Sequence, residues 1–231
     1  MTRTTKAPPQ AKAAKATGTA PSGRPKSGRP PGSNSTATRA KLLTAARKQF
    51  AEKGYAQTTF KDVGREAGIT HAALYQYFDS KQALYLATLA ETQAMLLPKY
   101  LAAIEQGASL RERIVGVLMA SADAHDADST ITGFLAAIPI EIRRHAELRD
   151  VLLDPNNQIM LALEQMFDEA KRDGEIVSEF SSRHLVDAFL GGGVGVSLFH
   201  YGMPTSSLRE AMQVFVALIE ARVFTADAAR R

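Results

Sequence analysis

Between residues 59 and 81 the chain gathers side chains suited to a partner that carries both phosphates and hydrogen-bonding edges. Thr70, His71, Tyr75, Gln76 and Tyr77 fall within eight consecutive residues, separated by the small Ala72 and Ala73. Arg39, Lys41, Lys61 and Lys81 lie around them. Amide, imidazole and hydroxyl groups can pair with base edges, small residues permit close approach to a groove, and cations at the margin reach phosphates. Catalytic chemistry has no comparable gathering. The chain has no cysteine, which excludes thiolate metal sites, cysteine nucleophiles and disulfides. No Ser/His/Asp constellation can be assembled, so an enzyme is not expected. Asp123, His125, Asp126 and Asp128 lack a second histidine at i+4 and read as a solvated helix end, so no metal is expected. His184 and His200 read as structural. Gly191-Gly192-Gly193-Val194-Gly195 lacks the G-x-G-x-x-G register and follows no strand, so no nucleotide cofactor is expected.

The elements that must position these groups are helices. Leu43, Ala46 and Phe50 recur at i, i+3 and i+7, and Gly54 suits the end of that helix. Thr59 can cap a short helix over 60–67, with Asp62 at its third position and Gly68 ending it. Thr70 can cap a third helix from His71 to Phe78, with Leu74 and Phe78 in the core beneath it. Asp79 or Ser80 opens a long fourth helix from Lys81; Ala83, Ala87, Ala90, Ala94 and Leu97 form its stripe, and Pro98 kinks or ends it. Helices 60–67 and 71–78, joined by a tight turn, make a helix-turn-helix, whose second helix enters the major groove.

The remainder is also helical. Leu110, Ile114, Val117 and Leu118 mark one amphipathic face. Gly133 and Pro139 divide 130–150 into two short helices. Asp154-Pro155 opens a helix that runs to Gly174. Another spans about Ser182 to Tyr201, and Ser207 with Glu210 forms a capping box for the last, to about Phe224. No segment alternates like a strand, so the fold class is all-α. The longest nearly apolar run, residues 188–199, is too short to span a bilayer, and no secretory signal opens the chain. A soluble cytoplasmic protein without a membrane partner is expected.

The sequence also resembles a known family. Gly54-Tyr55, Thr58-Thr59, Asp62-Val63, Ala67-Gly68-Ile69-Thr70, Leu74-Tyr75, Tyr77-Phe78, Ser80-Lys81 and Leu84 follow the order and spacing of the TetR-family DNA-binding domain. The resemblance covers about fifty residues. It departs at Ala72, where the family often has glycine, and at Tyr77, where it often has histidine. Alanine still permits close approach and tyrosine can still donate to a phosphate.

The resemblance implies a sequence-specific regulator of transcription, typically a homodimeric repressor that binds a double-stranded DNA operator and a small-molecule effector. It implies that Thr59, Tyr75, Tyr77 and Lys81 hold backbone and that Thr70, His71, Ala73 and Gln76 meet bases; Arg39 could reach backbone or the adjacent minor groove, and Lys61 is a DNA-facing cation at the margin of the motif. It implies an N-terminal three-helix domain over 37–82 and a ligand-binding and dimerisation domain over 83–225, followed by a short tail, 226–231. The larger helical bundle would dimerise through its last two helices, with Phe189, Gly192, Val196, Val214, Phe215, Leu218 and Ile219 at the interface. The same glycine-rich face could instead pack within one chain. An apolar pocket for a lipophilic ligand would draw on Leu118, Met119, Phe134, Leu135, Ile159, Met160, Leu163, Met166 and Phe167, residues that serve equally as ordinary core.

Charge is divided along the chain. Residues 1–36 carry seven Lys or Arg and no acid, residues 37–80 a net +3, and the rest a net −6. Only the front therefore suits a polyanion. The first 36 residues hold six of the ten prolines and almost no large apolar side chain, so they read as a disordered basic tail. Within it Gly-Arg-Pro occurs twice, at Arg24 and Arg29. These units resemble AT-hook cores, with serine in place of the first arginine. They read either as a solvated linker or as minor-groove ligands that would make the chain a ligand-independent global or architectural regulator. Removal of residues 1–36 should weaken DNA binding across all sequences and flatten its salt dependence, because tail cations displace counterions. An unchanged slope of affinity against salt for the truncated chain would exclude the tail from the contact.

Overall fold

Ten helices and no strand make up the described residues, 31–152 and 157–220 of a computed structural model. They are α1 (Pro31–Gln57), α2 (Phe60–Ala67), α3 (His71–Leu74), α4 (Lys81–Gln106), α5 (Leu110–Ala127), α6 (Ser129–Arg144), α7 (Ala146–Leu152), α8 (Gln158–Arg172), α9 (Ser182–Gly202) and α10 (Leu208–Ile219). Arg24, Arg29, Asp154, Pro155 and residues 226–231 lie outside the described residues. None of the described helices is long and apolar enough to cross a membrane.

α1 begins at Pro31, ahead of the expected border at residue 37. Proline suits the first turn of a helix, where its missing N–H has no intrahelical partner to lose. Near its other end Gly54 takes φ 76°, ψ 173°, a region essentially confined to glycine. There the Tyr55 N–H is free to turn toward α6 and donates to Glu141 Oε1 at 3.0 Å.

α2 and its caps match the pattern read from the sequence. Thr59 and Asp62 form a reciprocal capping box, and Gly68 closes the helix at φ 67°. α3 is shorter than expected. After Leu74 the bonds tighten to Gln76 N–H to Ala73 O and Tyr77 N–H to Leu74 O, at 3.1 and 3.0 Å, the i→i+3 pattern of a helix that is ending.

α4 departs from the expected stripe. Its buried face is Leu84, Tyr85, Thr88, Leu89, Thr92 and Leu96, while Ala90 and Ala94 are exposed. The two threonines explain the misphasing. Their hydroxyls donate to the carbonyls of Leu84 and Thr88, both at 2.7 Å, so polar residues sit satisfied on the inner face. Ser80, not Asp79, is the cap. The helix also continues through Pro98, which is exposed like Ala94, the residue whose carbonyl loses its donor; water can replace that bond on the outer face.

Gly133 and Pro139 likewise lie inside one helix, α6, and the break comes at His145. Gly133 is buried beneath the Tyr201 ring, and Pro139 is on the exposed side. α8 begins later than expected, with Asn157 accepting from the N–H groups of Ile159 and Met160.

Two main cores result. The first joins Leu42, Leu43, Phe50, Tyr55, Leu74, Phe78, Leu84 and Tyr85 to Phe134 of α6 and Leu148 of α7. Phe134 sits 5.0 Å from Tyr85 and 6.1 Å from Phe50 between ring centroids. The second core collects α5, α8, α9 and α10 around Leu118, Leu163, Met166, Phe189 and Met212. The front helices therefore rest on α6 and α7. Gly54→Ala should lower stability by about 2 kcal/mol, from backbone strain and from displacement of Glu141. Thermal unfolding checks this, and an unchanged midpoint would reject it.

Candidate nucleic-acid interface

The geometry of the site starts with Gly64. A Cβ there would lie 2.7 Å from the Ile69 carbonyl oxygen, so only glycine lets α2 approach the turn into α3 this closely. Ile69 N–H closes the turn on Gly64 O at 2.8 Å. Leu74 and Phe78 are then fully covered, which forces His71, Tyr75 and Gln76 outward on the opposite side. Thr70 caps α3 by accepting from Ala73 N–H at 3.3 Å.

A surface cleft brings together Thr59, Lys61, His71, Tyr75 and Lys81. The rings of His71 and Tyr75 are 5.2 Å apart and both pack on Phe60. Edge-on and tilted ring packing fixes their directions at little entropic cost. Thr70 and Gln76 are exposed beside this cleft, whereas Ala73 and Tyr77 are half-buried. Lys81 Nζ lies 4.6 Å over the Tyr55 ring and donates to the Ala56 carbonyl at 3.0 Å. Arg39 stacks over Phe78 at 5.5 Å from its centroid, and its charge stays at the surface.

Asp62 organises the front of α2. Its carboxylate accepts from the Thr59 hydroxyl at 2.6 Å and pairs with Lys53 at 3.1 Å and Arg65 at 3.0 Å. The Thr59 hydrogen bond, and then Lys53, hold the Asp62 carboxyl down at about 2. Thr59 is thereby committed to the cap, and the exposed cation at this helix end is Lys61.

Comparison with known proteins accords with this geometry. Residues 42–88, from α1 into α4, match the family described as bacterial regulatory proteins, tetR family. This stretch is a TetR-family DNA-binding domain. It is 30% identical over 113 residues to the regulator BetI of Rhizobium meliloti, covering 48% of this chain and 55% of that one. It is 33% identical over 86 residues to the repressor KstR2 of Mycolicibacterium smegmatis, covering 37% and 42%. The chain thus spans about half the length of these curated relatives. The fold as a whole is that of FadR from Bacillus subtilis, solved in complex with stearoyl-CoA, with a TM-score of 0.65 at 17% identity over 78% of this chain and 96% of that one.

The expected pocket residues divide. A cavity of about 100 Å³ is lined by Leu118, Leu135 and Leu163 together with Leu96, Tyr100, Ile131, Phe189 and others. Phe134 lies in the front core, and Met166 and Phe167 lie in the rear one. Ile159, Met160 and Met119 pack at the edge of the rear core. Apolar type alone cannot tell a cavity wall from a filled core.

The expected interface residues divide too. Phe189 is buried and faces the cavity. Gly192 is covered by the Phe215 ring of its own chain, and Val196 is half-buried. Val214, Leu218 and Ile219 are exposed, as are Leu198, Phe199 and Met203. Gly191 and Gly195 face open space. Leu198 and Phe199 were readable from phase, because they share one helical face with Gly191 and Gly195.

Sequence reasoning also missed the joint between α1 and α6. Arg47, only 4% exposed, donates to Asp128 at 2.8 Å, Glu91 at 3.2 Å and Thr130 at 3.3 Å. An NMR titration should find the Asp62 carboxyl at about 2 in the native chain and moved up toward 3.8 in Thr59→Ala; equal midpoints would show that the Thr59 hydroxyl does not set it.

Proposed function

We propose that this chain is a sequence-specific DNA-binding regulator of transcription, a homodimeric repressor released from its operator by a small, largely apolar ligand. The observation that carries the DNA reading is the face of α3 and its following turn. His71, Tyr75 and Gln76 point outward over a buried Leu74 and Phe78, with Lys61 and Arg39 exposed at the edges. His71 and Gln76 serve base edges, while Lys61, Tyr77 and Lys81 grip phosphates. Thr70 and Ala73 lie at the end of α3 that enters the groove.

The exposed apolar side chains of α9 and α10, among them Phe199, Met203, Val214 and Leu218, support pairing with a second copy. A dimer places two α3 helices in successive major grooves about 34–36 Å apart. The cavity, with its wall on α6, supports control by a ligand, as does the solved relative that holds stearoyl-CoA. α1 and α6 are joined by Arg47 with Thr130 and by Tyr55 with Glu141, so a ligand that shifts α6 shifts the front helices as well. The effect on operator affinity is limited to the ligand's differential affinity for the two arrangements.

Selection of bound genomic DNA by the purified full chain tests this. The expected result is a palindromic site. Lys81→Ala should weaken all sequences alike and reduce the salt slope by about one, whereas Gln76→Ala should relax the preference at one position of each half-site. A uniform loss for Gln76→Ala would remove it from base readout. Many A·T-rich sites that vanish when residues 1–36 are removed would instead favour a global regulator acting through Arg24 and Arg29.

A further inference from the structure

The cavity lies where α4, α5, α6, α8, α9 and α10 meet, and its chemistry is more restrictive than an apolar lining alone. Among the described residues no Asp, Glu, Lys, Arg or His side chain lines it, and Tyr100 is the one titratable group on its wall. Burial pushes that phenol up, so it stays neutral. An ion entering this space would leave its hydration behind and find no counter-charge.

The hydroxyls on the wall then fix the polarity of a neutral ligand. Ser197 donates its hydrogen to the Gly193 carbonyl at 2.8 Å, and Ser121 donates to the Val117 carbonyl at 3.0 Å. A serine has one hydrogen to give, so both are committed. Tyr100 Oη lies 2.8 Å from Ser121 Oγ. Because the Ser121 hydrogen is on Val117, Tyr100 must be the donor in that pair. What Tyr100 and Ser197 retain is lone pairs, which can accept but not give. Thr132 Oγ1 lies 3.0 Å from His125 Nδ1; in the tautomer whose Nδ1 accepts, the Thr132 hydrogen is committed as well.

Size sets the remaining limit. A cavity of about 150 Å³ is known to accommodate benzene; the space of about 100 Å³ here takes a single ring once side chains yield slightly. On the ligand-controlled reading above, we infer that the effector site takes a small, uncharged molecule of about one ring whose polar group is a hydrogen-bond donor, a phenol or alcohol hydroxyl. It does not take a carboxylate, an ammonium ion or a ligand whose polar atom only accepts.

Isothermal titration of the full chain at pH 7 with phenol, toluene, acetophenone, benzoate and benzylamine separates these classes. Phenol should bind about fivefold or more tightly than toluene or acetophenone, the size of one hydrogen bond, and neither ion should bind measurably. The double variant Tyr100→Phe, Ser197→Ala should bring phenol to the affinity of toluene. Toluene itself should bind the variant as it binds the native chain, which reports that the cavity is intact. Acetophenone equal to or tighter than phenol, an ion as the best ligand, a phenol affinity untouched in the double variant, or no binding by any of the five would overturn the assignment. Gel shift with operator DNA on the same samples is independent of that result. Loss of ligand binding with DNA binding retained rejects the effector site alone, and loss of both rejects the regulator itself.

Discussion

The buried guanidinium of Arg47 determines how the front of the molecule is held to the rest. It reaches from α1 to Asp128, Thr130 and Glu91, three partners on two other helices and the junction before α6. Asp128 is at once the C-terminal cap of α5 and the N-terminal cap of α6, accepting from Thr130 N–H at 3.0 Å. Burial works to raise its carboxyl, but hydrogen bonds from Thr130 and Arg47 outweigh that and hold it below the usual carboxylate range. Removing one partner of a fully buried ion pair costs about 3–5 kcal/mol; here Arg47 is buried while Glu91 and Asp128 are partly exposed, so the cost falls toward the lower end. One arginine thus fixes both the turn between α5 and α6 and the seat of α1 upon it.

From that fixed end, α6 presents different residues to two structures at once. Phe134, Ile138 and Glu141, at i, i+4 and i+7, face the front core and α1. Ile131, Thr132, Leu135 and Ala136 line the cavity. At the far end Glu141 accepts from Tyr55 N–H and pairs with His145 at 3.3 Å, while the His145 ring packs 4.8 Å from Tyr55. Tyr55 in turn lies under Lys81. A chain of contacts therefore leads from the cavity wall through α6 to the start of α4 beside α3, with polar clamps at both ends and an aromatic core between them.

Much of this was legible in the sequence wherever a local rule decides the structure. Thr59, Asp62 and Gly68 specify α2 through caps, and Ser207 with Glu210 opens α10 in the same way. The all-α class follows from periodicity. What escaped was set by packing between distant elements. Thr88 and Thr92 on the inner face of α4 break the apolar count, because backbone carbonyls satisfy them where no sequence pattern shows it. Pro98, Gly133 and Pro139 look like breaks, yet tertiary contacts and an exposed helix face absorb each of them. Arg47 and Glu141 look like surface charges until partners 81 and 86 residues away are known. In the candidate site the exposed groups His71, Tyr75 and Gln76 were readable from helix phase. The division of apolar residues between cavity wall and filled core was not.

The magnitudes constrain how a ligand could act in the proposed switch. A useful change in operator affinity needs roughly 2–3 kcal/mol of coupling, or about 30–150-fold. Rupture of the Arg47 cluster alone would cost at least as much as that, and the Glu141 bond to Tyr55 would add to it. A ring-sized ligand therefore cannot work by breaking the α1–α6 joint. In the proposed switch the front helices would move with α6 as one body, and deformation would fall where the backbone is weaker. α4 contains such a place. It joins the front core at Leu84 and Leu89 to the cavity at Leu96 and Tyr100, and Pro98 removes one hydrogen bond from its ladder near the cavity end. Bending there tilts the helix relative to α6 and leaves both polar clamps closed.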